Sequence, residues 1–470
     1  MNTYTPTIGL EIHAELKTKT KMFCASANEP HAADPNAHVC PVCMAFPGTL
    51  PVINKKAVEH VLRVGTAVNG QLAEYTEFDR KNYFYPDIPK GFQISQYKYP
   101  LVSGGMLAGV ALTRVHLEED TARSQHTSGD YSLIDFNRAG VPLMELVTEP
   151  VIHDALTAMS FAQELQLLLR ALGASDANME KGEMRVEANI SVSRDQTFGT
   201  KVEVKNLNSF KVVGKAIEYE VKRQIELLER GETFPQETRG WNENKSETFS
   251  QRTKENAQDY RYFPEPDLPK LNISRIAEFS KENLSKTLPE LPWEKRARLL
   301  SFGIKSEDAE VLVADVVYSR FFDEEVLKQL TDEKSVKTAA NYLLSDIRGA
   351  TPSEEEMNNL RKGVFAEVMR MIGEEVLSSR GAKDLLVRLM KTGGDPRGVA
   401  QAEGMLQTHD LEAAKTVAQE VIAENPSVAE EVRSGKESGL QFLVGQGMKK
   451  SKGSMNPKQL LEAIKAQLGT

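Results

Sequence analysis

The sequence contains few cysteines and no long apolar run, and each shortage excludes a class of protein. Only three of the 470 residues are cysteine, a small and odd number that argues against a disulfide framework and for a reducing compartment. No run approaches the about 18 consecutive apolar residues of a membrane-spanning helix. The beginning of the sequence has no basic segment followed by an apolar one, the pattern of a secretory signal. We therefore expect a globular protein of the cytoplasm.

Several common catalytic motifs are missing as well. The sequence has no GxxxxGK[ST] phosphate-binding loop, so any ATP site must be of another kind. It has no serine in a nucleophile elbow, and no cysteine outside the region from 24 to 43 offers itself as a catalytic nucleophile. These absences disfavour a P-loop ATPase and a hydrolase that works through a covalent serine or cysteine intermediate.

The charge balance is acidic overall but basic at the end of the sequence. The formal net charge of −9 argues against a surface covered in positive charge for non-specific nucleic-acid binding. The segment QFLVGQGMKKSKGSMNPKQLLEAIKAQLGT contains one acid, Glu462, and five lysines: Lys449, Lys450, Lys452, Lys458 and Lys465. Such a helical end is usually solubilising, although it also suits contact with phosphates.

The pattern of the chain predicts an α+β protein. Period-two alternation in VEANISV and KVEVKNL, with a polar turn between them, predicts a hairpin over residues 186–207. Helices are predicted over residues 154–172 and 214–228, each followed by glycine. This half is expected to form a mixed-sheet cradle domain.

Strand-like alternation ends near Pro289 and Pro292, and helical periods follow. One predicted helix begins at Ser353 with a capping box to Glu356. The stretch GGDPRG interrupts the helical pattern near residue 395. We therefore predict three parts: a cradle domain, an all-α connector and a small helical tail module, at residues 1–290, 291–395 and 396–470.

The N-terminal stretch TIGLEIHAEL alternates apolar and polar residues, so a strand is expected to carry Glu11 and His13 on one face, about 6.6 Å apart. Glu145, inside the apolar run VPLMELV, would be a costly lone charge on a buried strand. It therefore needs either a cation such as Arg138 or a bound metal ion.

Acids and histidines also cluster in VHLEEDTARSQH, which contains His116, Glu118, Glu119, Asp120 and His126. An acid triplet at the end of an apolar stretch is often a solvated turn. The alternative is a set of oxygen ligands for a hard cation such as Mg²⁺, which takes one or two carboxylates together with waters and phosphates.

Basic and aromatic residues interleave in FDRKNYFYPDIPKGFQISQY, a composition that suits phosphates and flat bases. The alternative is an aromatic loop packed on its own domain. A second stretch, DYRYFPEPD, repeats the aromatic, proline and acid pattern.

The cysteines are concentrated at Cys24, Cys40 and Cys43, the last two in HVCPVC. Two cysteines two residues apart are half of a typical zinc knuckle, and His31 or His38 could supply a fourth ligand. Buried, inert thiols are the equally weighted alternative.

Several long motifs, taken in order, resemble the B-subunit family of the glutamyl- and aspartyl-tRNA amidotransferases. They are GLEIHAEL, CPVCMAFPGTLPVIN, FDRKNYFYPD, DFNRAGVPLMELVTEP, VEVKNLNSF, RYFPEPD and the tail QFLVGQGMKKSKGSMNP. The resemblance implies ATP-dependent amidation of glutamate or aspartate carried on the tRNA for glutamine or asparagine. It also implies a heterotrimer, with an amidase-type A subunit that releases ammonia from glutamine and a small C subunit.

The resemblance also implies roles for single residues. Mg²⁺ would be surrounded by Glu11, His13, Glu119 and Glu145. Lys81 would contact phosphate or the activated intermediate, and Glu187 would add an acid from the hairpin. The tail lysines Lys449, Lys450 and Lys452 would contact tRNA.

Three positions depart from the family pattern. Glu187 stands where aspartate is common, so the carboxylate is kept but reaches one methylene further. Ser26 stands where members that bind zinc usually have a cysteine, so zinc would need a substitute ligand. Arg123 stands where lysine is usual, which keeps the charge but changes its geometry.

Two other classes remain open on sequence grounds. One is an RNA-binding scaffold that has lost catalysis, which is disfavoured because the predicted metal ligands are all present. The other is a metal-dependent phosphodiesterase built on the same acids, which would cut tRNA instead of amidating it.

Overall fold

The computed structural model divides the chain into two compact units, Met1–Pro292 and Trp293–Thr470. The structure describes residues 4–32, 34–126, 129–195, 197–253, 260–407, 411–436, 438–451 and 455–469. The side chains of residues 126, 252 and 253 are not described. The three-part division with cuts at 290 and 395 stays a prediction.

The first unit is built around a large mixed sheet. The strands of this unit, in the main sheet and in smaller ones, are β1 (Thr5–Glu15), β2 (Gln71–Leu72), β3 (Tyr75–Thr76), β4 (Asp79–Asn82), β5 (Phe92–Ser95), β6 (Val102–Ser103), β7 (Met106–Leu107), β8 (Val110–Glu119), β9 (Arg123–His126), β10 (Ser132–Asp135), β11 (Pro142–Thr148), β12 (Met184–Ser193), β13 (Val202–Leu207), β14 (Glu237–Asn242), β15 (Glu247–Thr253), β16 (Phe263–Pro264) and β17 (Leu271–Asn272).

The strand order in the main sheet is β15-β14-β13-β12-β1-β11-β8-β6-β2, and β7 also pairs with β8. Strand β1 lies in the middle and is antiparallel to both β11 and β12. The pairing of β13 with β14 is parallel, which makes the sheet mixed. The described residues also form three smaller sheets, β16-β4-β5, β10-β9 and β17-β3.

The two faces of the central strands differ in polarity because side chains alternate along a strand. One face carries apolar side chains such as Ile8, Leu10 and Ile12, all of which are buried. Helices pack on this face and form the core of the unit. The opposite face carries the charged residues of the same strands and is left for the site.

The helices of the first unit are α1 (Lys55–Ala67), α2 (Ala155–Ala171), α3 (Phe210–Glu229) and α4 (Lys281–Lys286), with short 3₁₀ turns at Ile273–Arg275 and Ala277–Phe279. The side chain of Asp154 accepts a hydrogen bond from the Thr157 N–H and begins α2. Ser209 accepts from the Val212 N–H and begins α3. Both caps satisfy donors that a helix start would otherwise leave unpaired.

The described part of the second unit is helical. Its helices are α5 (Pro292–Ser301), α6 (Ser306–Ala314), α7 (Val316–Phe321), α8 (Glu333–Asn341), α9 (Glu354–Asn359), α10 (Val364–Gly373), α11 (Ser379–Thr392), α12 (Pro396–Ala402), α13 (Leu411–Glu424), α14 (Pro426–Arg433), α15 (Ser438–Lys450) and α16 (Pro457–Leu468), with π-helical turns at Phe322–Leu327 and Tyr342–Ile347 and a 3₁₀ turn at Arg348–Ala350.

Two hydrophobic clusters stabilise this unit. One contains buried residues from Leu299 to Ala400, and the other contains buried residues from Ala414 to Leu468. Among the described residues, no helix has both the length and the apolar character needed to cross a membrane.

The predicted α+β class is confirmed. The N-terminal strand, the hairpin and the predicted helix at 154–172 are present as β1, β12 with β13, and α2. The capping box between Ser353 and Glu356 is also present. Helix α3 begins four residues earlier than predicted, because Ser209 caps it.

Candidate functional site

A row of charged residues crosses the polar face of the central sheet. His13 on β1 lies opposite Arg185 on β12 and opposite Glu145 on β11. Glu145 in turn lies opposite His116 on β8. Directly opposed residues in a sheet project to the same face. Four separate strands therefore bring these side chains into one line.

A second group lies beside this row. Glu11 is opposite Glu187 of β12, and Glu187 accepts a hydrogen bond from Lys205 Nζ at 2.7 Å. Glu203, on the same strand as Lys205, lies close enough to Glu11 and Glu187 for the three carboxylates to hold one metal ion. Together with the acids of β8 and β11, these glutamates surround one region of the sheet.

The two histidines hold the buried carboxylates at close range. His13 Nε2 lies 3.4 Å from Glu145 Oε2, 3.7 Å from Glu118 Oε1 and 3.9 Å from Glu11 Oε1. His116 Nε2 lies 3.4 Å from Glu145 and 3.8 Å from Glu118. Two overlapping sets of ligand atoms are each close enough together to hold one ion: Glu11, His13 and Glu145, and His116, Glu118 and Glu145.

These contacts set the charge of the buried groups. Burial alone would lower the pKa of His13, but Glu145 and Glu118 outweigh it and raise that pKa to about 9. The same carboxylates raise the pKa of His116 to about 9 against the effect of burial. In return, the histidines hold the pKa of Glu145 well below its usual value despite burial. The pKa of Glu118 is also lowered despite burial, chiefly through His116.

The pKa of Glu11 shifts in the opposite direction to those of Glu118 and Glu145. Burial, together with repulsion from Glu145 and Glu187, raises its pKa to about 7. The charged form of Glu11 is therefore disfavoured, and either a proton or a bound cation would relieve that cost. Carboxylate oxygens are the ligands that Mg²⁺ prefers. Glu11, His13 and Glu145 lie close enough together to hold one hard divalent cation, and so do His116, Glu118 and Glu145. A histidine that ligates the ion would release its proton, and phosphate and water oxygens would be further ligands.

Cationic side chains complete the site. Lys81 and Lys205 line two adjoining cavities of about 260 and 170 Å³. Burial would lower the pKa of Lys81, but the carboxylates, with Glu118 first, raise it above its usual value. Arg114 lines the larger cavity, and its Nη2 lies 3.3 Å from Glu145 Oε1. Phosphate oxygens entering here would meet three positively charged side chains, Lys81, Lys205 and Arg114.

The structure does not bring Glu119 into this cluster, and its role as a metal ligand stays a prediction. Its carboxylate pairs with Lys90 and accepts from the Ile94 N–H at 3.0 Å. It lines a different cavity, beside Phe92 and Cys43. Adjacent strand residues face opposite sides, so Glu118 points to the cluster and Glu119 away from it.

The three thiols form a group of their own. Cys24, Cys40 and Cys43 place their sulfurs close enough together to share one ion. Ser26 Oγ and the buried Lys21 Nζ each lie 3.9 Å from Cys43 Sγ. Hydrogen bonding, first from Cys24, lowers the pKa of Cys43 to about 4.

Neither candidate histidine joins the thiol group. His31 Nε2 lies 3.7 Å from Glu183, and His38 Nε2 lies 3.3 Å from Glu29. The described residues therefore offer zinc three cysteine ligands, with a hydroxyl or solvent in the fourth position. This is one ligand fewer than a closed structural zinc site has.

The tail lysines fall at the end of α15. Lys449 is exposed. Lys450 is already paired, because its Nζ lies 2.8 Å from Glu420 and 2.6 Å from Glu424 on α13. Lys452 lies outside the described residues.

The sequence alone does not assign several residues of the cluster. In the sequence, His116 and Glu118 are indicated only as members of an acid-rich stretch. No sequence pattern singles out Glu203, Lys205 or Arg114. A signal is present in KVEVKNL, because alternation puts Glu203 and Lys205 on one face. The pairing of distant strands, which brings that face to the cluster, cannot be read from local alternation.

Carboxylates, histidines and lysines line two adjoining cavities, an arrangement that could hold a hard cation and phosphate groups. Residues 6–277 match the family described as the GatB/GatE catalytic domain, and residues 321–468 match the one described as the GatB domain. The chain therefore belongs to the GatB family.

Relatives that match along almost their whole length agree with this membership. The chain is 45% identical over 473 residues to the B subunit of the aspartyl/glutamyl-tRNA(Asn/Gln) amidotransferase of Thermus thermophilus, and the match covers 98% of this chain and 99% of the relative. Proteins of the same name from Thermoanaerobacter pseudethanolicus and a Synechocystis species are each 41% identical, with at least 98% of each chain covered.

Proposed function

We propose that this chain performs ATP-dependent amidation of glutamate on misacylated tRNA(Gln), of aspartate on misacylated tRNA(Asn), or of both. Family membership supports the reaction, since relatives carry the name of a tRNA amidotransferase. The observation that supports this placement of the chemistry is the set of contacts between His13, His116, Glu118 and Glu145 beside Lys81. Lys81 and Lys205 line both cavities beside this cluster.

The first chemical step is activation of a carboxylate. A carboxylate is a poor electrophile, so a side-chain oxygen of the substrate must attack the γ-phosphorus of ATP, break its bond to the bridging oxygen and release ADP. Lys81, Lys205 and Arg114 line the larger cavity and can neutralise the transferred phosphoryl group. A Mg²⁺ ion bound by the carboxylates would supply further electrostatic stabilisation there.

The second step forms the amide. Ammonia attacks the acyl carbon, phosphate leaves with its bonding electrons, and the nitrogen loses a proton. Glu187 faces the smaller cavity, and its carboxylate is placed to accept that proton once Lys205 moves to the phosphate. We assign Lys81 and Glu187 as catalytic residues on this basis.

We also propose that the chain works in a heterotrimer with an amidase-type A subunit and a small C subunit, and that this assembly binds tRNA. The name of its relatives, which designates them a B subunit, supports a multi-subunit enzyme. We propose the cytoplasm as its location, which agrees with three free thiols in the described structure. Zinc, if carried, would use Cys24, Cys40 and Cys43, with Ser26 or solvent as the fourth ligand.

The test replaces Glu145 with glutamine in the complete assembly and supplies ammonium directly. We expect Glu145→Gln to lower amide formation at least a hundredfold, because the substitution removes the negative charge that pairs with both His13 and His116. Glutamine hydrolysis and tRNA affinity should stay close to wild type. Glu149→Gln is the matched control, since Glu149 follows β11 and its carboxylate accepts a hydrogen bond from Thr113 at 2.8 Å. Full amidation by Glu145→Gln, or cleavage of the tRNA, would contradict the assignment.

A further inference from the structure

A row of tyrosine rings borders the larger cavity. Tyr97 and Tyr262 are stacked in parallel, with centroids 4.4 Å apart and planes 11° apart. Tyr262 meets Tyr260 edge to face at 6.1 Å, and Tyr260 meets Tyr83 in the same way at 6.1 Å. The rings therefore form a continuous aromatic wall that ends in a parallel stack at Tyr97.

The end of this wall is exposed and held in place. Tyr97 is 57% exposed, although Tyr262 covers one face of its ring. The Tyr97 N–H donates to Asp79 Oδ2 at 2.9 Å, and the Lys98 N–H donates to the same atom at 3.3 Å. Asp79 itself is buried. An exposed aromatic ring on a fixed backbone offers a flat surface that loses little entropy when a ligand stacks on it.

The same cavity has positive charge beyond the aromatic wall. Lys81 Nζ lies 5.0 Å from the centroid of Tyr260 and 5.9 Å from that of Tyr83. Arg114 and Lys205 line the cavity together with Tyr97. Aromatic rings and cations that line one cavity match a nucleotide, whose base is planar and whose phosphates are anionic.

We propose that Tyr97, supported by Tyr262, stacks against an adenine base whose phosphates point towards Lys81. The adenine could belong to ATP or to the 3′-terminal adenosine of tRNA, because both carry the same ring. Adenine as the base rests on the proposed function, whereas the stacking platform rests on ring geometry. Tyr97 is then a binding residue that positions substrate at the acidic cluster.

The experiment compares Tyr97→Ala with Tyr97→Phe in the complete assembly, with Phe198→Ala as control. Phe198 is 72% exposed in the same unit and lines none of the described cavities named above. Binding is measured for a non-hydrolysable ATP analogue and, separately, for tRNA with and without its terminal adenosine. Because binding is read without turnover, failure of the stack can be told apart from failure of the amidation assignment.

We expect Tyr97→Ala to raise one dissociation constant about tenfold or more, the usual scale for loss of a stacked base. Tyr97→Phe and Phe198→Ala should stay within about twofold of wild type, and none should change the unfolding midpoint. Weaker binding of the ATP analogue identifies ATP as the source of the adenine. Weaker binding of only the tRNA that ends in adenosine identifies the tRNA. Unchanged binding of both ligands to Tyr97→Ala, or an equal loss in Tyr97→Phe, would overturn the proposal.

Discussion

Glu118 and Glu145 are buried carboxylates that share two histidines, and this sharing explains the behaviour of the site. Each carboxylate would be costly alone in the sheet, and each imidazole would be neutral if buried without an acid. Together they keep one another charged. The pKa of Glu11 is raised instead, because burial and the repulsion of Glu145 and Glu187 outweigh the attraction of His13 and Lys205.

Local alternation predicts which residues share a face. It correctly places Glu11 with His13, and the same rule applied to VHLEEDT separates Glu118 from Glu119. It cannot predict that Glu145 meets both His13 and His116, because that depends on the pairing of three strands from distant parts of the sequence. Arg138, which the sequence offers as an ion-pair partner for Glu145, instead lies 3.7 Å from Asp120.

His60 is a buried histidine that lies outside the site. Its Nε2 lies 3.0 Å from the Lys17 carbonyl oxygen, and burial lowers its pKa to about 4. The unfolded chain binds a proton near pH 6.5, whereas the folded chain does not until about pH 4. The contribution of His60 to stability is therefore complete above about pH 6.5 and is lost as the pH falls towards 4.

We expect this loss to reach about 1–3 kcal/mol. The measurement is the urea midpoint of wild type and His60→Gln at several pH values between about 4 and 7. The wild-type stability should fall more steeply with acid than that of the variant. Parallel curves would contradict the assignment of the buried neutral state to His60.

At the level of elements, the site depends on the helices that pack on the apolar face of the sheet. Helix α1 packs against the strands at one edge, where β6 pairs with β8. Gly65 allows this approach, since a Cβ at that position would lie 2.4 Å from Val102 Cγ2 and 2.9 Å from Cγ1. Val102 is fully buried and has little room to move.

Gly65→Ala is therefore expected to destabilise the protein by about 1–3 kcal/mol, in spite of the higher helix propensity of alanine. Gly445→Ala is the matched control, because Gly445 lies within α15 and a Cβ there meets nothing within 4 Å. That change should be neutral or stabilising by up to about 1 kcal/mol. Unfolding midpoints of both variants test this difference, and equal effects would contradict it.

Sequence signals are strongest for elements with clear caps and clear periods. Asp154 and Ser353 mark helix starts that the structure confirms. The short strands at the edge, such as β6 and β7, contain two residues each. So few residues carry no measurable period, and tertiary pairing alone defines them.

At the scale of the whole chain, the acidic net charge and the basic tail separate two tasks. The acids gathered on the central sheet suit a cation, and Lys81, Lys205 and Arg114 beside them suit phosphates. The exposed Lys449 suits contact with RNA. Lys450 differs from its neighbour because two glutamates of α13 already surround it. The tail as a tRNA contact remains a proposal.

We expect Lys449→Ala to weaken tRNA binding and to reduce the salt slope of log K by about one unit per lost phosphate contact. Lys450→Ala should have the smaller effect, because Lys450 would first have to leave its carboxylate partners. Filter binding of tRNA across a salt series measures both slopes. If neither substitution alters the slope, the end of α15 only solubilises the chain.

We propose that amidation takes place on the polar face of the sheet and depends on Glu118 and not on Glu119. The most direct measurement is the rate of amide formation on misacylated tRNA by the complete assembly, with ATP and ammonium, for Glu118→Gln and Glu119→Gln. We predict that Glu118→Gln loses at least a hundredfold in rate, while Glu119→Gln stays within about tenfold of wild type. A severe loss in Glu119→Gln together with normal activity in Glu118→Gln would contradict the account.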